Sequence, residues 1–126
     1  MKNKIYCSFI AIACLFSFNI NAAEETTTTR QMTQEEYQMV RAASSEHMNC
    51  MNEFSISQLE KQADIRVIAD HAMKKCAPIL EDLYNKLVEI EYDPEASKRI
   101  ASSISNKSAN KVLSQLMMYS AMQGNQ

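Results

Sequence analysis

The sequence predicts an all-α protein: a small helical bundle in which one disulfide, between Cys50 and Cys76, staples an antiparallel α-hairpin. Ala, Leu, Met, Glu, Gln and Lys are good helix formers, and they are abundant. Glycine occurs once, as Gly124. Tight hairpin turns and phosphate-binding loops need glycine at positions of positive φ, so its scarcity excludes most β folds and most phosphate-binding enzymes.

The first 23 residues have the pattern of a secretory signal peptide. Residues 1–4 carry two lysines, residues 5–20 are mostly apolar, and residues 21–23 are small. The apolar run is too short to span a bilayer well. We expect cleavage near Ala22 or Ala23 and a periplasmic or secreted protein. Residues 11–14 resemble a lipoprotein cleavage box, a weaker alternative in which Cys14 carries a lipid.

The chain after the leader is one mildly acidic domain. Loss of Lys2 and Lys4 leaves 11 basic against 15 acidic residues, a net charge of about −4. Without a basic stripe, nucleic acid and anionic membranes are not expected partners. We expect a disordered lead-in over 24–32, where four threonines follow one another, a helical domain over 33–122 and a frayed tail over 123–126.

A first helix is predicted to begin after Thr33, which forms a capping box with Glu36. Its end has two interpretations. Ser57 with Glu60 would allow a break near 55–57, or the helix runs to about Lys61 with a turn at 62–64 and Asp64 as the cap of the next helix. One face of the predicted helix is formed by Tyr37, Val40, Ser44, His47, Met51 and Phe54.

The two remaining cysteines favour the second interpretation. A straight helix from Ser57 would place Cys76 about 28 Å along it, beyond the reach of Cys50. A turn centred on Ala63 instead puts both cysteines 13 residues away and face to face. An even thiol count in an exported protein indicates a structural disulfide, and the Cys-x-x-Cys redox motif is absent.

The second helix carries the clearest amphipathic stripe, interrupted by Pro78, where we expect a kink or a restart near Ala77. Asp93 followed by Pro94 predicts the next helix start. The stripe consists of Ile65, Ile68, Ala69, Ala72, Cys76, Ile79, Leu80, Leu83, Leu87 and Ile90.

The third helix is predicted to break. It begins with Ala96, Ile100 and Ile104, but residues 102–110 are rich in Ser and Asn, which are poor helix formers. We expect a break near Asn106 and a last helix capped by Ser108. The residues of that helix expected to face its neighbours are Val112, Leu113, Leu116, Met117 and Tyr119 or Ser120.

No catalytic motif accompanies these helices. His47 and His71 each follow an acid, but adjacent helical residues point in different directions, so the acid does not orient the ring. Zinc ligation by both histidines with Cys50 and Cys76 lacks the usual ligand spacing. Nucleophile, metalloprotease and haem motifs are absent. We therefore expect a non-enzymatic protein without a cofactor.

Eight methionines follow the leader, at positions 32, 39, 48, 51, 73, 117, 118 and 122. Three interpretations stay open: Met fills an irregular core, Met lines a groove that accepts variable partners, or Met binds Cu(I). The favoured function is a protein-binding or chaperone-like module whose unidentified partner contacts Met48, Met51, Met117, Met118 and Met122. The alternative is a soft-metal protein that binds copper through His47, Met48 and Met51.

Overall fold

The computed structural model describes residues 30–61 and 64–123, which form three helices. These are α1 (Gln34–Gln58), α2 (Ile65–Glu89) and α3 (Pro94–Gln123), and each packs against the other two. Short connections make consecutive helices antiparallel, so the order is up-down-up. The predicted all-α bundle is confirmed. The predicted signal peptide, most of the lead-in, the turn centre at 62–63 and Gly124 lie outside the described residues.

The predicted disulfide is present between α1 and α2. Cys50 and Cys76 are bonded, with their Cα atoms 6.0 Å apart. The alternative break near 55–57 does not occur, because α1 continues to Gln58. Ser57 does not cap a new helix; its hydroxyl donates to the carbonyl of Phe54, 2.7 Å away. Asp64 caps α2 as predicted and accepts a hydrogen bond from the backbone N–H of Arg66.

The capping box at the start of α1 also holds the far end of the bundle. The N–H of Glu36 donates to Thr33 Oγ1 at 3.2 Å, and the N–H of Thr33 donates to Glu36 Oε2 at 2.8 Å. Arg30 donates to both oxygens of Glu36, at 2.8 and 2.6 Å. Its guanidinium also lies 5.1 Å from the ring centroid of Tyr92. Residues just before α1 are therefore tied to the connection between α2 and α3.

This contact reverses one sequence prediction about the buried face of α1. Tyr37 was predicted to face the core, but 62% of its surface is exposed. Glu36 is buried instead, because Arg30 and Thr33 satisfy its carboxylate. The hydrogen bonds from Arg30, followed by the one from the Thr33 N–H, lower the pKa of Glu36 to about 2.

The second helix continues through Pro78, so the predicted restart near Ala77 does not occur, and a kink there stays a prediction. Proline removes one backbone donor, yet Cys76 and Leu80 on either side are buried in the core and hold the helix together. Most of the predicted stripe is buried, namely Ile68, Ala69, Ala72, Cys76, Leu80, Leu83 and Leu87. Ile90 is exposed because it lies just past the end of the helix.

α2 ends in a Schellman motif that uses no glycine. The N–H of Tyr92 donates to the carbonyl of Leu87, and that of Glu91 to the carbonyl of Val88, each at 3.0 Å. Glu91 adopts a φ of 59°, which is usually the conformation of glycine at this position. Leu87 and Tyr92, which flank the turn, are both buried. Burial of this pair compensates for the strained backbone.

α3 begins as predicted but does not break. Asp93 Oδ1 accepts a hydrogen bond of 2.6 Å from the N–H of Ala96, and Pro94 is the first helical residue. The predicted break near Asn106 is wrong, because α3 is continuous over 30 residues. Its Ser- and Asn-rich stretch is held by buried residues spaced four apart: Ile104, Ser108, Val112 and Leu116. Tertiary packing here overrides weak helix propensity.

The core has two clusters along the bundle. One surrounds the disulfide and contains Met51, Ile68, Ala72, Cys76, Val112 and Leu116. The other lies toward the α2–α3 connection and contains Leu80, Leu83, Leu87, Tyr92, Ala96 and Ile104. All three helices supply residues to the first cluster, so it holds the hairpin and α3 together.

Breaking the disulfide should destabilise the protein strongly. A bond that closes a separation of 26 residues lowers unfolded-chain entropy, and its loss should reduce the free energy of unfolding by about 3–4 kcal/mol. Urea denaturation with and without reductant measures this. The Cys50→Ala/Cys76→Ala variant is the control and should not respond to reductant. Equal stability of oxidised and reduced wild type would contradict the prediction.

The conformation of Glu91 predicts a stabilising substitution. Glu91→Gly should raise the free energy of unfolding by about 1 kcal/mol, because glycine tolerates positive φ. Glu89→Gly is the matched control; Glu89 is the last residue of α2, where glycine should lower the free energy of unfolding by up to about 1 kcal/mol. Urea denaturation of both variants gives the comparison. Destabilisation by Glu91→Gly as large as that by Glu89→Gly would refute this account of the turn.

Candidate functional site

The structure divides the methionines into buried and exposed groups. Met51 is fully buried in the cluster around the disulfide, and Met48 and Met73 pack against that cluster half-buried. Met32 and Met39 pack against the second cluster. By contrast, Met117, Met118 and Met122 are 60%, 58% and 70% exposed. Packing thus accounts for the first five, but it does not account for the three near the end of α3.

The three exposed methionines belong to an apolar surface at one end of the bundle. We call this the terminal surface; it consists of Ile56, Met117, Met118, Tyr119 and Met122, all exposed. Leu116 is the last buried residue of α3, and residues 117–123 are all exposed. At 1.5 Å per residue α3 is about 45 Å long, against about 37 Å for α1 and α2. The end of α3 therefore extends past the ends of α1 and α2, against which it could otherwise pack.

Charge is absent from this part of α3. Lys111 is the last charged residue of the sequence, so residues 112–126 are uncharged. Large apolar side chains on a solvent-exposed helix end normally alternate with charged ones. Several large exposed apolar side chains near one another are a feature of interaction sites on protein surfaces.

A small cavity between α1 and α3 opens beside the terminal surface. Its volume is about 110 Å³, and it is lined by Asn52, Ser55, Ile56, Val112, Gln115, Leu116 and Tyr119. The hydroxyl of Ser55 is buried there and has no hydrogen-bond partner among the described residues. Because Ile56 and Tyr119 belong to both features, the cavity and the terminal surface form one site.

The predicted copper ligands do not share an exposed surface. His47 and Met51 are buried, and Met48 is half-buried. A hydrogen bond of 3.1 Å joins His47 Nδ1 to Ser108 Oγ, and His47 Nε2 has no partner among the described residues. Copper binding by these residues stays a prediction. Ser108, predicted as a helix cap, instead pairs with His47 across the bundle.

Other ligand sites receive little support from the described residues. Within 30–61 and 64–123, no three His, Cys, Asp or Glu side chains are placed to hold a metal ion. An open groove of about 790 Å³ lies between α2 and α3. Lys74, Lys98 and Glu81 all line it, so charge of both signs is present and does not select one class of ligand.

Comparison with known proteins returned no relative. No protein-family model matches the chain, and neither a curated protein nor a solved structure shows significant similarity. None of α1, α2 and α3 combines the length and hydrophobicity that crossing a bilayer requires.

The sequence located part of the terminal surface. Met117, Met118 and Met122 were predicted partner contacts, and all three are exposed. Ile56 and the Ser55 hydroxyl were missed, because nothing in the sequence of α1 shows that they lie beside Tyr119. The uncharged run after Lys111 was the available signal for this surface.

Burial of His47 predicts a loss of stability in mild acid. Burial lowers the pKa of His47 below its ordinary value of 6.5, so the unfolded chain binds the proton more readily. The free energy of unfolding should be highest above pH 6.5 and fall as the pH drops from 6.5 toward the lowered pKa. Urea denaturation at pH 7.5 and 5.5 measures this difference.

Two variants test whether His47 causes this loss of stability in mild acid. His47→Gln should remove this part of the pH dependence, whatever its effect on stability at pH 7.5. His71→Gln, at an exposed position, is the control with which the His47→Gln result is compared. An unaltered pH dependence in His47→Gln would show that another group is responsible.

Proposed function

We propose that this chain is an exported, non-enzymatic protein-binding module that contacts its partner through the terminal surface. The observation that carries the proposal is the uncharged end of α3, where Met117, Met118, Tyr119 and Met122 lie exposed beyond the last buried residue. Burying apolar surface contributes roughly 25 cal/mol per Å², so a partner that covers these side chains gains a substantial driving force.

The chemistry of the surface suits partners of variable shape. Methionine is unbranched and flexible, and its polarisable sulfur adapts to different apolar contacts. Tyr119 adds a large rigid ring with a polar end, a type of residue that is enriched in protein interfaces. The proposed surface omits Met48 and Met51, because Met51 has no exposed area and Met48 packs against the core.

The scaffold behind the surface is cross-linked and packed. Cys50 is bonded to Cys76, and Val112 and Leu116 pack into the same cluster as Cys76. A surface held in place before binding loses less conformational entropy when a partner arrives. A structural disulfide is also typical of proteins in oxidising compartments, which supports export to the periplasm or beyond the cell.

Site-specific photo-cross-linking tests the proposal. A benzophenone amino acid replaces Tyr119 in the full chain expressed in its compartment, and the control replaces Tyr37, which is also exposed but lies near the start of α1. We expect defined cross-linked products at position 119 and none at 37. Met118→Lys/Met122→Lys should abolish them. Absence of products at 119, or the same products at both positions, would refute the proposal.

A further inference from the structure

We infer that the terminal surface binds a second copy of this chain, forming a two-fold symmetric dimer. The inference rests on the proposed function, because it names the partner of the same surface. Three features support a second copy as the partner: the charges beside the surface, the cavity next to it, and the position of the segment before α1 at the opposite end of the bundle.

The rim of the terminal surface carries opposite charges on its two sides. On α1, the exposed Glu53 lies about one turn before Ile56. The exposed Glu60 and Lys61 follow just past the end of α1, so this side carries a net negative charge. On α3, the exposed Lys107 and Lys111 precede the uncharged end. A second copy turned by a two-fold axis sets its α3 against the first copy's α1. Glu53 of each copy then faces Lys111 of the other, so the same pair of opposite charges forms twice.

The centre of the surface suits contact with itself. It is uncharged, so two copies meet there without like-charge repulsion, although the mature chain carries a net charge of about −4. Each copy supplies flexible methionine side chains, and each has a cavity of about 110 Å³ beside them. A methionine entering the partner's cavity would fill it and offer its sulfur as a weak acceptor to the unpartnered Ser55 hydroxyl.

The described N-terminal segment of the same chain does not occupy this site. Arg30 is bound to Glu36 and lies over Tyr92, at the end of the bundle opposite the terminal surface. α1 and α2 are each 25 residues long, so about 37 Å separates the two ends. Among the described residues, the end of α3 from a second copy is an apolar, uncharged helix end that fits this site.

Sedimentation velocity on the mature, oxidised protein from 1 to 500 µM tests the inference. We expect a monomer–dimer equilibrium within this range. Met118→Lys/Met122→Lys should weaken the dimer at least tenfold with unchanged helical content, because both side chains are exposed in the monomer. Gln38→Lys/Ala42→Lys, at two exposed positions near the start of α1, adds the same two positive charges at the same spacing; it is the matched control and should dimerise like wild type. Ser55→Ala should weaken dimerisation several-fold.

A charge swap tests the geometry. Glu53→Lys should weaken the dimer, and adding Lys111→Glu to the same chain should restore it, because the two charges face each other across the axis. A monomer at 500 µM, a dimer unaffected by Met118→Lys/Met122→Lys, or no rescue by the swap would each overturn the inference. If the protein is monomeric while Tyr119 still cross-links to a different protein, the proposed function stands and the second-copy assignment fails.

Discussion

The bond between Cys50 and Cys76 is the constraint on which the rest of the bundle depends. It joins two helices near matching positions along their lengths and so fixes the register in which α1 and α2 lie antiparallel. Met51, next to Cys50, and Ala72, one turn before Cys76, are both completely buried at this level. Once this hairpin is fixed, α3 has a defined groove into which Val112 and Leu116 pack.

The opposite end of the bundle is held by polar contacts. Arg30 reaches the carboxylate of Glu36, the ring of Tyr92 and, at 3.3 Å, the carbonyl of Ile90. These contacts join the start of α1 to a turn that has no glycine, in which Glu91 takes the left-handed conformation. A bundle without a glycine at this turn can still reverse its chain, because buried Leu87 and Tyr92 flank the strained residue.

The two ends of the bundle therefore differ in chemistry. One is closed by a charged pair, an aromatic ring and a capping box, all of which have partners. At the other end α3 extends past its neighbours and its last turns carry no charged side chain. The buried hydroxyl of Ser55 there has no hydrogen-bond partner among the described residues. Such an unequal distribution of satisfied and unsatisfied groups is the physical reason for placing the binding function at the end of α3.

The sequence by itself determined the features that depend on neighbouring residues. The caps at Thr33, Asp64 and Asp93 were predictable because a side chain and the backbone within a few residues of it form the whole interaction. The disulfide was predictable as well, since only two cysteines follow the leader and their distance from the turn fixes whether they can meet.

The tertiary structure decided everything that depends on contact between helices. Propensity predicted a break near Asn106 and a restart near Pro78, but burial on both sides of each position keeps the helices continuous. Helical periodicity predicted an apolar face containing Tyr37. In the structure Glu36 is buried instead, because its carboxylate is paired with Arg30. Which methionines are exposed was also undecided by sequence, because a periodic pattern identifies a face but does not show where one helix extends past the others.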